Sequence, residues 1–166
     1  MILAPTNGPI GIQPHGSNAR MVYKSSTAAT VGTVVCLDFS QTYPPTTLAT
    51  MESSMFATCV RAVGNSGTVH GPIGVVVDLL DGAGAQNTYV IVQFGGIVKA
   101  NVTSGTGNAV SKGNALGVAD AGGVFGTAAN STSVYPAAIA LEAVAAATST
   151  TINVLLNPGY FFNADI

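Results

Sequence analysis

From residue 19 onward, short runs of β-branched and other apolar residues are separated by turn-forming residues, which is the pattern of β-strands. Residues 31–39 alternate with a period of two, so that Val31, Thr33, Val35, Leu37 and Phe39 share one face of a predicted strand. Similar runs lie at residues 56–63, 73–80, 89–94, 97–102, 116–118, 124–125 and 152–156. This spacing predicts an all-β fold: a compact β-barrel or sandwich of short antiparallel strands over residues 19–157.

The residues between the runs refine this prediction. Asp81-Gly82-Ala83-Gly84 predicts a turn into the run at residues 89–94, with glycine supplying positive φ angles. Gly95-Gly96 predicts a bulge or bend before the strand at residues 97–102 continues. In the run at 73–80, one face is predicted to carry Ile73, Val75, Val77 and Leu79. No internal repeat and no heptad pattern is evident in the sequence.

Two segments fit the strand pattern less well, and at most one short helix is expected. Residues 46–55 contain few strand-forming residues and predict a loop or a short helix. Residues 136–147 are rich in alanine and begin with a proline suited to a first helical turn, so local propensity favours a helix. As a strand, the same segment would place Ile139, Leu141, Ala143 and Ala145 on one face.

The N-terminal residues 1–18 predict an extended arm. Pro5, Pro9 and Pro14 remove backbone donors, which argues against a central strand. The arm also carries four apolar residues that are candidate assembly contacts: Ile2, Leu3, Ile10 and Ile12. An arm of this kind orders against a partner or stays unordered in solution, and the composition leaves both open.

Residues 158–166 form a short C-terminal tail with three consecutive aromatic residues, Tyr160, Phe161 and Phe162. Three aromatic side chains at one end of a chain are difficult to bury in a monomer. We therefore predict that they are assembly contacts that dock on a neighbouring subunit. The alternative is that they fold back on the barrel of their own chain.

Composition changes the picture from a β-domain to an assembly component. Charged residues make up 7% of the chain, hydrophobic residues 48%, and the mean hydropathy is +0.47. Ordinary soluble domains are about a quarter charged. No segment is long and apolar enough to predict a transmembrane helix. The sequence therefore predicts a surface of uncharged residues that is largely covered by other subunits.

The distribution of charge argues against several partners. The formal net charge is −2, and the basic residues are scattered: Arg20, Lys24, Arg61, Lys99 and Lys112. Nucleic acids and anionic membranes select clustered basic residues, so neither is predicted as a partner. The first residues lack a secretory signal pattern, which predicts a protein made in a cytoplasm.

No catalytic, cofactor-binding or metal site is predicted, and the chain is not expected to be an enzyme. His15 and His70 have no second ligand at metal-binding spacing. Asp78 and Asp81 flank a turn, where solvated carboxylates are common. Cys36 and Cys59 predict two buried free thiols, with a single disulfide as the alternative.

The order of motifs resembles the head-decoration (capsid cement) proteins of tailed bacteriophages. The resemblance spans roughly residues 20–157 and rests on a succession of short elements. These are Gly-Thr-Val-Val-Cys-Leu-Asp at residues 32–38, Phe-Ala-Thr-Cys-Val at 56–60, Gly-Val-Val at 74–76, Gly-Gly-Ile-Val-Lys-Ala at 95–100, Val-Ser-Lys-Gly-Asn-Ala-Leu at 110–116 and Ile-Asn-Val-Leu-Leu at 152–156.

This resemblance implies a virion protein on the outer surface of an icosahedral head. Its partners would be the major capsid protein and itself, as a homotrimer or other small oligomer, with the arm lying along the capsid lattice. The resemblance also favours a strand at 136–147, paired with residues 152–156 across a turn at 148–151. Two other functions fit the composition: a surface adhesin or host-attachment β-domain, and a shell-forming capsid subunit.

Overall fold

A computed structural model describes residues 18–38, 40, 58–63, 73–119, 122–127 and 137–156. The predicted all-β class is confirmed, because these residues form strands, turns and loops, and none of them is helical. Within these ranges, no helix is long and apolar enough to span a membrane. The strands are β1 Asn18–Tyr23, β2 Val34–Leu37, β3 Thr58–Arg61, β4 Ile73–Leu79, β5 Tyr89–Gln93, β6 Gly96–Thr103, β7 Ala115–Val118, β8 Phe125–Thr127, β9 Ala138–Ala140 and β10 Ser149–Leu156.

The ten strands divide into two closed barrels, which we call barrel 1 (β1–β5) and barrel 2 (β6–β10). Around barrel 1 the strand order is β1-β3-β2-β4-β5, and β5 pairs with β1 to close it. Around barrel 2 the order is β6-β8-β7-β9-β10, closed by β10 and β6. The predicted antiparallel arrangement holds for all but two pairs, since β1–β3 and β6–β8 are parallel.

The two barrels repeat one topology, which the sequence did not reveal. The first to fifth strands of each barrel follow the same cyclic order, and the same pair, the first and third strands, is parallel. The strand registers also agree. For example, Val35 faces Arg61 and Gly74 in barrel 1, while Leu116 faces Thr127 and Ala138 in barrel 2. The structure therefore contains an internal repeat, although no repeat is evident in the sequence.

The turns that lead into β2 and β7 match bond for bond. Each contains a glycine with positive φ, +93° at Gly32 and +89° at Gly113. Each is closed by one backbone hydrogen bond of 3.0 Å and by one side-chain oxygen that accepts a backbone N–H: Thr33 Oγ1 from Thr30 at 2.9 Å, and Asn114 Oδ1 from Ser111 at 2.6 Å.

The interiors of the barrels correspond position by position through these registers. The buried core of barrel 1 consists of Met21, Tyr23, Ala29, Val35, Leu37, Cys59, Val76, Val90 and Val92. The matching residues of barrel 2 are Ala100, Val102, Val110, Leu116, Val118, Phe125, Ala140, Ile152 and Val154, and all nine are buried. The large side chain of this pair lies on a different strand in each barrel. In barrel 1, Tyr23 of β1 pairs with the small Cys59 of β3, whereas in barrel 2 the smaller Val102 of β6 pairs with the large Phe125 of β8.

Strand β2 and the first four residues of β4, Ile73–Val76, are buried on both faces. Val35 and Val76 point into barrel 1, whereas Val34, Cys36, Ile73 and Val75 on the opposite face belong to the core cluster that contains the interior of barrel 2. The predicted period-two alternation is confirmed for Val34–Leu37, but neither face of this strand is polar. Val31 instead lies in the turn before β2 and is exposed, and Phe39 lies outside the described residues. A strand with two apolar faces is expected where a sheet is covered on both sides.

Gly95-Gly96 separates two strands that belong to different barrels. Strand β5 ends at Gln93 in barrel 1, and β6 begins at Gly96 in barrel 2. The predicted bend is present at Gly95, whereas the expectation that one strand continues through it is wrong. The predicted glycine turn between β4 and β5 is confirmed, with φ of +78° at Gly82 and +57° at Gly84.

A bulge lies in β4, between Val76 and Asp78. One extra residue reverses the alternation, so Leu79 packs against the core of barrel 1 while Val77 packs against the other cluster. The prediction that Leu79 shares a face with Val77 is wrong for this reason.

The helix favoured by local propensity at residues 136–147 is not formed in the described residues 137–147. Ala138 and Ala140 are fully buried in barrel 2, and Ala138–Ala140 form β9, paired antiparallel with β10. Burial in the barrel outweighs alanine's helix propensity. The strand alternative is confirmed for these three residues only, and the turn expected at 148–151 is wrong because β10 already begins at Ser149.

Main-chain hydrogen bonds join the barrels. Asn101 N–H in β6 donates to Gly32 C=O at 2.9 Å. Gly123 accepts from Val34 N–H at 2.9 Å and donates to Ala62 C=O at 2.6 Å. A Cβ added to Gly32 would stand 2.7 Å from Asn101 Oδ1, so this joint requires glycine for space as well as for its positive φ.

We predict that Gly32→Ala lowers the free energy of unfolding by roughly 3 kcal/mol, because it combines left-handed strain with a clash at the joint. The control is Gly107→Ala, at φ +80° with nothing within 4 Å of the added Cβ, which should cost about 1–2 kcal/mol for strain alone. Urea denaturation of both variants measures the difference. Equal losses would show that the contact with Asn101 contributes nothing.

Candidate assembly surface

The seven assembly contacts predicted from the sequence lie outside the described residues. Ile2, Leu3, Ile10 and Ile12 belong to residues 1–17, and Tyr160, Phe161 and Phe162 to residues 157–166. Their roles therefore stay predictions. The described part of the chain contributes a different surface, which no single sequence motif indicated.

Four apolar side chains form a row across the outside of barrel 2, which we call the outer row. Ile97 of β6 pairs with Leu155 of β10, Leu155 pairs with Ile139 of β9, and Ile139 pairs with Ala115 of β7. Ile97 is 45% exposed, and the other three are partly exposed. Directly paired residues lie about 5 Å apart on the same face of a sheet, so the row is a continuous apolar stripe.

Barrel 1 has the same row with different chemistry. Its members, in matching order, are Asn18, Gln93, Val75 and Val34. Val75 and Val34 are fully buried beneath barrel 2, whereas the other two members of the row, Asn18 and Gln93, are polar and are not fully buried. The row of barrel 1 is thus apolar only where it is covered. The outer row of barrel 2 is apolar along its whole length and is only partly covered.

Sequence reasoning missed the outer row because its members come from four strands spread over residues 97–155. A weak signal exists within β10. Its alternation places Ile152, Val154 and Leu156 inside the barrel. The position between Val154 and Leu156 points outward, and a polar residue is expected there, but the residue is Leu155. The same holds for Ile97 at the start of β6.

Two further large apolar side chains are exposed on barrel 1. Val31, in the turn before β2, is 51% exposed, and Leu80, in the turn after β4, is 46% exposed. Several charged groups on this barrel are engaged locally. The Arg20 guanidinium lies 3.8 Å from the centre of the Tyr89 ring, and Lys24 Nζ donates to Asn87 Oδ1 at 3.1 Å.

The two turn carboxylates have structural partners. Asp81 Oδ2 accepts the Tyr89 N–H at 2.8 Å, which ties the β4–β5 turn to the start of β5. Asp78 Oδ1 accepts the Leu79 N–H at 2.8 Å beside the β4 bulge. No group of three or more His, Cys, Asp and Glu that could hold a metal ion occurs within the described ranges. His15 and His70 lie outside them.

The prediction of two buried free thiols is confirmed, and the disulfide alternative is wrong. Cys36 and Cys59 lie on neighbouring strands but on opposite faces, so that Cys36 belongs to the inter-barrel core and Cys59 to the interior of barrel 1. Burial raises the pKa of Cys36 from 9.0 to about 11, with a smaller contribution from Asp38. Burial likewise raises the pKa of Cys59 to about 12.

Comparison of the sequence with models of protein families finds no match, and comparison with curated proteins finds none. The fold, the composition and the exposed apolar side chains of barrel 1 are therefore the grounds for a functional proposal.

We predict that neither thiol of the folded protein reacts at pH 8 with a maleimide, because the thiolate is the reactive form and both pKa values lie far above 8. Ser26→Cys at an exposed position is the reactive control. Because folding raises both pKa values above 9.0, their contribution to stability is complete below pH 9 and is lost as the pH rises through 11. Rapid labelling of the native protein would contradict the burial.

Proposed function

We propose that this chain is a structural virion protein that binds the outside of an icosahedral phage head and stabilises the capsid by bridging subunits of the major capsid protein. Its second partner is itself, in a small oligomer that is most simply a homotrimer. The protein is made in the host cytoplasm and needs no cofactor, nucleic acid or membrane for this role.

The observation that carries this proposal is an exterior with few charges and exposed apolar side chains. The chain has five basic and seven acidic residues among 166, and Val31 and Leu80 on barrel 1 are about half exposed. An uncharged surface packs against protein without the cost of removing ions from water. The order of motifs, which resembles that of decoration proteins, indicates that the partner is the major capsid protein.

The physical requirement of such a role is repeated attachment. A head presents the same contact many times, and an oligomer that engages several copies at once binds far more tightly than a single contact allows. Small β-barrels suit this task because closed sheets leave no open edge for unwanted strand pairing. Both barrels of this chain are closed.

We predict that the purified protein is a trimer at micromolar concentration, measured by multi-angle light scattering. A hydrophobic, charge-poor surface favours self-association over a monomeric state. A monodisperse monomer over this range of concentration would contradict the oligomeric part of the proposal.

We predict that deletion of residues 1–17, which spares Asn18 in β1, leaves both barrels folded but abolishes binding to purified heads. A substitution set tests the same point: Ile2, Leu3, Ile10 and Ile12 to Ser, with Thr6, Asn7, Gln13 and Ser17 to Ala as the matched control. Co-sedimentation with heads measures binding, and circular dichroism checks the fold. Full decoration by the truncated chain would show that the arm is not the attachment element.

A further inference from the structure

The outer row of barrel 2 has a counterpart in barrel 1 whose covering is visible. Residues 95–101, which follow β5, run across the row of barrel 1. At one end, Gln93 Nε2 donates to the carbonyl oxygens of Gly95 and Ile97 at 2.7 and 3.0 Å. At the other end, Asn101 N–H donates to Gly32 C=O beside Val34. The chain that leaves the fifth strand therefore covers the outer face of its own barrel.

In barrel 2, the positions of Gln93, Val75, Val34 and Gly32 are occupied by Leu155, Ile139, Ala115 and Gly113, in that order. Gly113 has the backbone conformation of Gly32, with φ of +89° against +93°. The surroundings of the two glycines differ. A Cβ added at Gly32 would meet the Asn101 side chain, whereas one added at Gly113 would meet nothing within 4 Å. Barrel 2 thus repeats the row and the turn of barrel 1, but no segment among the described residues covers them as residues 95–101 cover those of barrel 1.

The residues that follow β10 occupy the same place in the repeat. Through the matched registers, Leu156 corresponds to Phe94, so residues 157–163 correspond to residues 95–101. Asn163 follows Leu156 by seven positions, as Asn101 follows Phe94. Between them stand Tyr160, Phe161 and Phe162, which match Val98, Lys99 and Ala100.

We propose that residues 157–166 dock on the outer row of their own barrel 2, crossing Leu155, Ile139 and Ala115 and reaching the turn at Gly113. An aromatic segment matches a row in which Leu155 replaces the polar Gln93 of barrel 1. Seven extended residues span about 24 Å, which exceeds the roughly 15 Å across four neighbouring strands. This docking is independent of capsid binding. The sequence left two placements open for the aromatic tail, on a neighbouring subunit or on the barrel of its own chain. The docking proposed here is the second.

Cross-linking tests the placement directly. In the full chain, Ile139→Cys with Phe161→Cys should be joined by a short bis-maleimide within one chain at low micromolar concentration, because the native thiols are buried. The control pairs Phe161→Cys with Leu80→Cys, which is exposed on barrel 1. Peptide mass mapping identifies the linked residues. A link between two chains would overturn same-chain docking, and so would a yield no higher than in the control pair.

A double-mutant cycle tests the contact at Gly113. Gly113→Ala and Gly107→Ala both introduce Ala at positive φ with open space, so strain alone predicts equal falls in the melting temperature. Docking predicts that Gly113→Ala lowers it by roughly 4 °C more in the full chain, and that the excess disappears when residues 158–166 are deleted. Equal falls in the full chain would overturn the proposal, as would an excess that survives the deletion.

Discussion

Burial of both faces of β2 and of Ile73–Val76 in β4 is the constraint on which the rest of the structure depends. Val35 and Val76 fill barrel 1, while Val34 and Val75 on the reverse face belong to the core shared with barrel 2. At these positions a polar side chain would be buried without a partner on either face. The hydrogen bond from Asn101 to Gly32 fixes the spacing at this joint, and a β-carbon at Gly32 would disrupt it. The outer face of β2 and β4 in barrel 1 thereby joins the core of barrel 2, which enlarges the limited core that a small barrel has by itself.

The repeat of one topology makes the two barrels internal controls for each other. Positions that match by strand register differ in chemistry or in covering. Gln93 is polar where Leu155 is apolar, and Val75 is buried beneath barrel 2 where Ile139 is only partly covered. An apolar residue at a covered position needs no further explanation, whereas a continuous apolar row that is only partly covered calls for an occupant.

The low charge of the chain has a consistent physical meaning across these observations. Charged side chains keep monomers apart in solution, and this chain has few of them. Hydrophobic and neutral polar surfaces are instead stable when another protein surface covers them. The candidate contacts proposed from the sequence, such as Ile10 and Phe161, came from composition at the chain ends. The outer row was inaccessible to that reasoning because its neighbours are set by pairing between distant strands, as with Ile97 and Leu155.

Local patterns in the sequence determined which segments become strands and where the turns lie, since alternation with a period of two and glycine turns are short-range features. They predicted β2, β4 and the turn at Gly82 and Gly84. Only the tertiary structure decided how the strands are shared between barrels, because pairing joins residues far apart in the chain. It also converted the alanine-rich segment at Ala138–Ala140 from predicted helix to strand, since burial inside a closed barrel contributes more than local propensity.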